Sequence, residues 1–287
     1  MSDYLNRDGL ENALSVARDI IVTAIKTSSY GGDKKKNGQE AKNAAIRSSG
    51  PIQQVHSIIE EAIYKKLIDL GISPEVWPPI GAKSPELKVT GLLKAKDQDI
   101  CFTVDKHEAE LITTGVEAGR IDPIGIRATN RALAIGVRSQ LSSIDKNFDT
   151  LVERAFAETL NLRLRAPNIT LGEVYLLPLN EFDDEALKKN NIGFKSKKIN
   201  LQKFTKIFNA ITDPEYRQDL SDLYKYNATM LIVADFSKKP VKVLWDEEDV
   251  KNIFGEEIAE QMKRLLPCNF IEEIAQSYED ALESSAP

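Results

Sequence analysis

The sequence predicts a mixed α/β fold in which a central mixed β-sheet of about five to six strands is flanked by helices. Three observations predict it. Apolar residues recur at helical spacing in two long runs before residue 71. From Glu86 the period shortens to that of strands. Beyond that point strand-like and helix-like runs alternate, which argues for a sheet covered by helices. At 287 residues, 42% hydrophobic and 29% charged, the chain can bury a full core. The organisation read from it is an N-terminal helix with a basic arm (1–50), a core with inserted loops (51–245) and acidic C-terminal helices packed on that core (246–287).

Taken in order, Leu10, Leu14, Ala17, Ile21 and Ile25 give residues 8–27 one apolar helical face. Residues 28–50 are polar, lysine-rich and glycine-flanked, and read as a mobile arm. A second helix follows Pro51, with Val55, Ile59, Ile63 and Leu67 on its apolar side, and Gly71 stops it. LKVTGLLKAK and DICFTVD read as a hairpin turning at Lys96-Asp97-Gln98. Residues 105–131 read as an insertion, ALAIGVRSQL as a third strand, and 147–162 as a helix capped by Ser143 or Asp145. GEVYLLPL is a fourth strand, residues 181–226 are polar helices and loops, and ATMLIVADF and PVKVLW are fifth and sixth strands.

Composition narrows the chemistry. Cys101 and Cys268 are too few and too far apart for a disulfide framework or a structural zinc site. His56 and His107 are the only histidines, so any metal must be held mainly by oxygen ligands. No run approaches a membrane span or has the layout of a signal peptide, and a cytoplasmic protein is expected. The net charge of −6 argues against a polyanion partner, yet it is local. Residues 246–287 hold 12 acids against Lys251, Lys263 and Arg264, a charge of −9, which leaves +3 on residues 1–245.

One constellation carries chemistry. Asp99 opens an apolar strand in KDQDICF, where the following apolar run places it at the sheet edge. On the third strand the period of two puts Gly136, Arg138 and Gln140 on one face, where they can point with Asp99. A carboxylate at a strand end, a second acid and a nearby cation or amide are what metal-assisted phosphodiester hydrolysis requires. Asp122 is a rival first acid, with Pro123 marking a turn beside it. Glu86 and Lys88 form an acid-x-lysine pair that precedes the hairpin turn and reads as surface.

At QDIC and IGVRSQLSSIDKN, over roughly residues 50–180, the chain resembles the PD-(D/E)XK nuclease superfamily and, within it, type II restriction endonucleases. The resemblance implies a restriction-endonuclease-like fold, Mg²⁺, double-stranded DNA as substrate and a homodimer that reads a palindrome. Two departures stand out. Gly136 and Arg138 occupy the positions where the superfamily has an acid and a lysine. The second acid, and with Asp99 the metal ligand, is then expected from the following helix, at Glu153 in preference to Glu158. Glu60 is expected from the preceding helix, beside His56, because Glu61 points away. A guanidinium stays protonated and cannot be a base, so Arg138 would orient water or steady phosphate charge, with Gln140 as the alternative occupant. Arg120, Arg127, Asn130 and Arg131 in the insertion are placed for base contacts, and Lys34, Lys35 and Lys36 in the arm for phosphate. The competing readings are a nuclease-like fold that binds DNA without cutting it, and an acidic interaction protein with no nucleic-acid role.

Overall fold

A computed structural model describes residues 4–48, 50–213 and 222–284. Helix α1 (Arg7–Thr27) is capped by Asn6, whose side chain accepts from the Gly9 amide. A short hairpin of β1 (Ser29–Tyr30) and β2 (Asp33–Lys34) leads to α2 (Gly38–Arg47) and α3 (Gln53–Asp69). Residues 38–47, read from sequence as part of a mobile arm, are a helix: Asn37 caps it, and Ala41, Ala45 and the stem of Lys42 are buried. Small side chains four apart allow that close approach without the apolar stripe sequence analysis looks for.

The sheet strands follow. These are β3 (Glu75–Trp77), β6 (Ile100–Thr103), β9 (Leu133–Ser139), β10 (Thr170–Pro178), β13 (Ala228–Asp235) and β14 (Lys242–Val243). Their spatial order is β14-β13-β10-β9-β6-β3. The β9, β10 and β13 strands run parallel, and both flanks pair antiparallel. The expected six-stranded mixed sheet is present, with β3 as an edge strand that periodicity does not reveal. The hairpin before it differs from expectation. Strand β4 (Leu87–Thr90) pairs with β5 (Ala95–Gln98) in a separate ribbon, so the turn lies at 91–94. Chain then passes through Asp99 directly into β6.

The remaining pieces are the hairpin β7 (Glu110–Leu111) and β8 (Ile121–Asp122), α4 (Ile126–Asn130), and the crossover helix α5 (Ile144–Arg163). A second small hairpin of β11 (Asn180–Phe182) and β12 (Phe194–Lys198) encloses α6 (Asp184–Lys188) and is followed by α7 (Leu201–Ala210). Helices α8 (Glu247–Phe254), α9 (Glu256–Met262) and α10 (Pro267–Ser284) end the fold. Residues 214–221, part of the segment read as polar helices and loops, lie outside the described residues.

Alternation along the strands builds two cores. Ile100, Phe102, Leu133, Ile135 and Val174 face α1, α3 and α10, whereas Cys101, Ala134, Tyr175 and Val233 face α5 and α7. The acidic C-terminal segment is therefore integral, since Phe270, Ile274 and Tyr278 of α10 close the first core. Among the described residues no helix is long and apolar enough to cross a membrane.

Candidate functional site

Three elements enclose a cavity of about 770 Å³: the β4–β5 ribbon, the middle of β9 and one face of α5. The ribbon is fixed by Asn161, whose side chain accepts from the amides of Leu93 and Lys94 and donates to the Lys94 carbonyl. A Cβ on Gly91 would come within 2.2 Å of the Asn161 amide nitrogen, so only glycine fits the start of that turn. This docking swings Lys94 and Lys96 over α5. On α5 itself, Thr150, Arg154, Ala157, Glu158 and Asn161 recur at helical spacing along the cavity wall, while Leu151, Ala155 and Leu162 are buried below.

Asp99 stands at the cavity floor. It is half-buried, and its Oδ2 accepts the Val137 amide at 2.7 Å. One step beyond the Ile100–Ile135 pair, it comes opposite Gly136. On the other side of β9, Glu173 of β10 is in register with Gly136. A Cβ on Gly136 would meet Glu173 Oε2 at 2.5 Å, so the carboxylate of Glu173 occupies the space a side chain at 136 would need. A carboxylate from the neighbouring strand thus stands beside Gly136.

A second substitution follows the same logic. Lys96 reaches Glu158 from the ribbon and lines the cavity with Asp99, which places a lysine where the third strand offers only Arg138. Arg138 bridges the acids: its Nε lies 2.9 Å from Glu173 Oε1 and its Nη2 donates to Glu158. Glu173 is only 2% exposed at its side chain. Burial, opposed by Arg138 and reinforced by the charge of Asp99, pushes its carboxyl up to about 7.

Of the residues predicted from sequence, Asp99, Arg138 and Glu153 line this cavity. Glu153 is exposed, whereas Glu158 is 11% exposed at its side chain and paired to both Arg138 and Lys96, so Glu158 is the integrated acid of α5. Gln140 does not line it. That residue donates to the Ser142 carbonyl and faces an adjoining cavity that also touches Arg138. Glu60 is not brought there either. It is buried on α3, and His56, whose imidazole is shifted down by burial against the charge of Asp99, is the α3 side chain that senses the site. Asp122 proves internal: it is fully buried, accepts the Ile124 amide and pairs with Arg165 at 2.7 Å.

The residues expected to touch DNA line none of this cavity. Arg120 pairs with Glu117, and Arg127 and Arg131 with Asp105. Asn130 accepts the Asn168 amide, and Arg131 also donates to the Leu282 carbonyl of α10, so these two are occupied within the fold. Lys34, Lys35 and Lys36 sit in and after β2, where Lys35 pairs with Asp33. Glu86 and Lys88 are exposed, with Lys88 paired to Asp97, as their surface reading requires. Sequence reasoning missed Glu173 and Lys96. The available signal for the first was an acid within an otherwise apolar strand, beside a strand carrying a glycine.

Comparison with protein-family models, with curated proteins and with solved structures gives no match. The site's own chemistry must decide. Among the described residues, no three His, Cys, Asp or Glu side chains form a metal-holding group. Magnesium is commonly held by one or two carboxylates, with water and substrate phosphate completing its shell. Asp99 and Glu173, all-oxygen donors flanking Gly136, fit that description, with Glu173 Oε1 also held 2.9 Å from Arg138 Nε.

Proposed function

We propose that this chain is a Mg²⁺-dependent endonuclease of the restriction-enzyme kind that hydrolyses double-stranded DNA. The observation that carries the reading is the approach of Asp99 and Glu173 to Gly136 from its two sides, with Glu173 buried against Arg138 and Asp99, Lys96 and Arg138 lining one cavity. Asp99 and Glu173 would hold the cation, with Glu158 as the adjacent acid. When bound, such an ion supplies charge stabilisation at phosphorus and a water of lowered pKa.

The chain's own groups supply the rest. Lys96 positions water or steadies developing phosphate charge through its Nζ, the role the resemblance assigns to a lysine. Arg138 stays protonated and so acts only as an orienting charge, holding the two glutamates in place. Half-burial of the floor strengthens each of these interactions relative to water. A homodimer in the cytoplasm, reading a palindrome, completes the proposal.

A second reading, DNA binding without cleavage, is favoured by one specific observation: Glu158 is already neutralised by both Arg138 and Lys96, and Glu173 by Arg138. Incubating plasmid with the protein and Mg²⁺ separates the two. Discrete cleavage products are expected, lost with chelator and reduced roughly a hundredfold or more in Asp99→Ala. Duplex retention without Mg²⁺-dependent nicking selects the binding protein, and failure to bind duplex at low salt overturns both.

A further inference from the structure

Next to the acid cavity lies a second one of about 390 Å³, and the two share Arg138, Thr150 and Arg154. Their linings differ in charge. Asp97, Asp99, Glu153 and Glu158 line the first, whereas among the described residues no acid lines the second. Around the second stand two arginines and the hydrogen-bonding side chains of Ser139, Gln140, Asn147 and Thr150. A concave surface with cations and neutral donors, and no carboxylate, selects an anion.

Two further features point the same way. The Nη1 of Arg138 is buried and has no hydrogen-bond partner, although Nε and Nη2 are committed to Glu173 and Glu158. Arg154 is exposed on α5 and its charge is felt by the buried Glu173. No ion pair holds Arg154 among the described residues. An arginine left without a carboxylate partner, on a surface where most other arginines have one, is available to a ligand.

We propose that this second cavity is a phosphate subsite, in which Arg154, with Thr150 and Asn147, holds the backbone phosphate next to the one placed in the acid cavity. The ligand class is the phosphodiester backbone of DNA. This deepens the endonuclease reading and rests on it: a polyanion strand laid across Arg138 would put successive phosphates on its two sides. The contact is to phosphate, so it sets register and affinity and carries no base preference.

The test is duplex binding by fluorescence anisotropy with a labelled short random-sequence duplex, in Ca²⁺ to prevent cleavage, over a series of salt concentrations. Loss of one phosphate contact lowers the slope of log affinity against log salt by about one, which a merely structural defect does not do. Arg154→Gln is expected to produce that drop and to weaken low-salt binding roughly fivefold or more. Arg154→Lys keeps the charge and should restore the slope. Because Arg154 is exposed, its variants should fold, and matched thermal melts check this. An unchanged slope in Arg154→Gln, with wild type binding and cleaving DNA, overturns the subsite alone. Wild type that binds no duplex overturns the subsite together with the endonuclease reading.

Discussion

Arg165 and Arg138 each hold two carboxylates, and they do so to different ends. Arg165 pairs with Asp122 at 2.7 Å and Glu110 at 2.9 Å, under the insertion. Arg138 pairs with Glu173 and Glu158 between β9, β10 and α5. In the first set the acids are further satisfied by backbone: Asp122 accepts the Ile124 amide and Glu110 the Ile126 amide. Glu173 accepts no backbone amide among the described residues, and a large cavity opens beside its partners. Residue types alone do not distinguish these clusters. Backbone hydrogen bonds to the acids and the size of the adjoining space do, about 770 Å³ beside Arg138 and Glu158 against about 220 Å³ beside Glu110.

The comparison breaks first at Glu173. If its carboxylate serves in place of the acid missing at 136, Glu173→Gln should lower Mg²⁺-dependent plasmid cleavage by about a hundredfold or more while the melt stays within a few degrees of wild type. Gly136→Ala should act in the same direction, since its Cβ would displace Glu173 Oε2 from 2.5 Å. Moving the acid back, as Gly136→Glu combined with Glu173→Ala, should recover part of the lost activity. Full cleavage by Glu173→Gln would remove Glu173 from the site.

At the other arginine the expected effect is on stability. Asp122→Asn leaves the half-buried Arg165 with a weakened partner at a fully buried position, and breaking such a pair costs on the order of 3–5 kcal/mol. Urea unfolding should record that loss, while cleavage per folded molecule stays as in wild type. A variant that is stable but inactive would mean that Asp122, the rival acid in the sequence, belongs to the chemistry after all.

These clusters also mark what was legible in the sequence. Helices α1, α3 and α5 and strands β9, β10 and β13 were readable because each buries one periodic face or one continuous run. Asp99 was readable because an apolar strand follows it immediately. Lys96 is not, because the local pattern puts the turn on 96–98, whereas its place at 91–94 is set by Asn161, some 70 residues away in sequence. Glu173 was hidden for a similar reason, since its relation to Gly136 exists only in the parallel register of β9 and β10. Strand β3 is three residues long and owes its state to pairing with β6, which no local pattern encodes.

Glu60 sharpens the comparison from a third direction, with the smallest expected effect. It is 2% exposed and its Oε1 is buried without a hydrogen-bond partner; unlike Glu173 it has no ion pair among the described residues, and it fronts neither cavity beside Arg138. Burial, with a lesser contribution from Glu61, raises its carboxyl from 4.5 to about 7. The folded chain therefore binds an extra proton between these values, so the wild-type contribution from this group is present at low pH and lost as pH rises through about 7. Glu60→Gln does not titrate. Its stability relative to wild type should climb across that window and level off above it, by about 1–3 kcal/mol in urea unfolding at paired pH values. Cleavage should remain within about twofold of wild type. A loss comparable to that of Glu173→Gln would instead show that an unsatisfied buried acid is sufficient for function here, and that the adjoining space is not what sets the two arginine clusters apart.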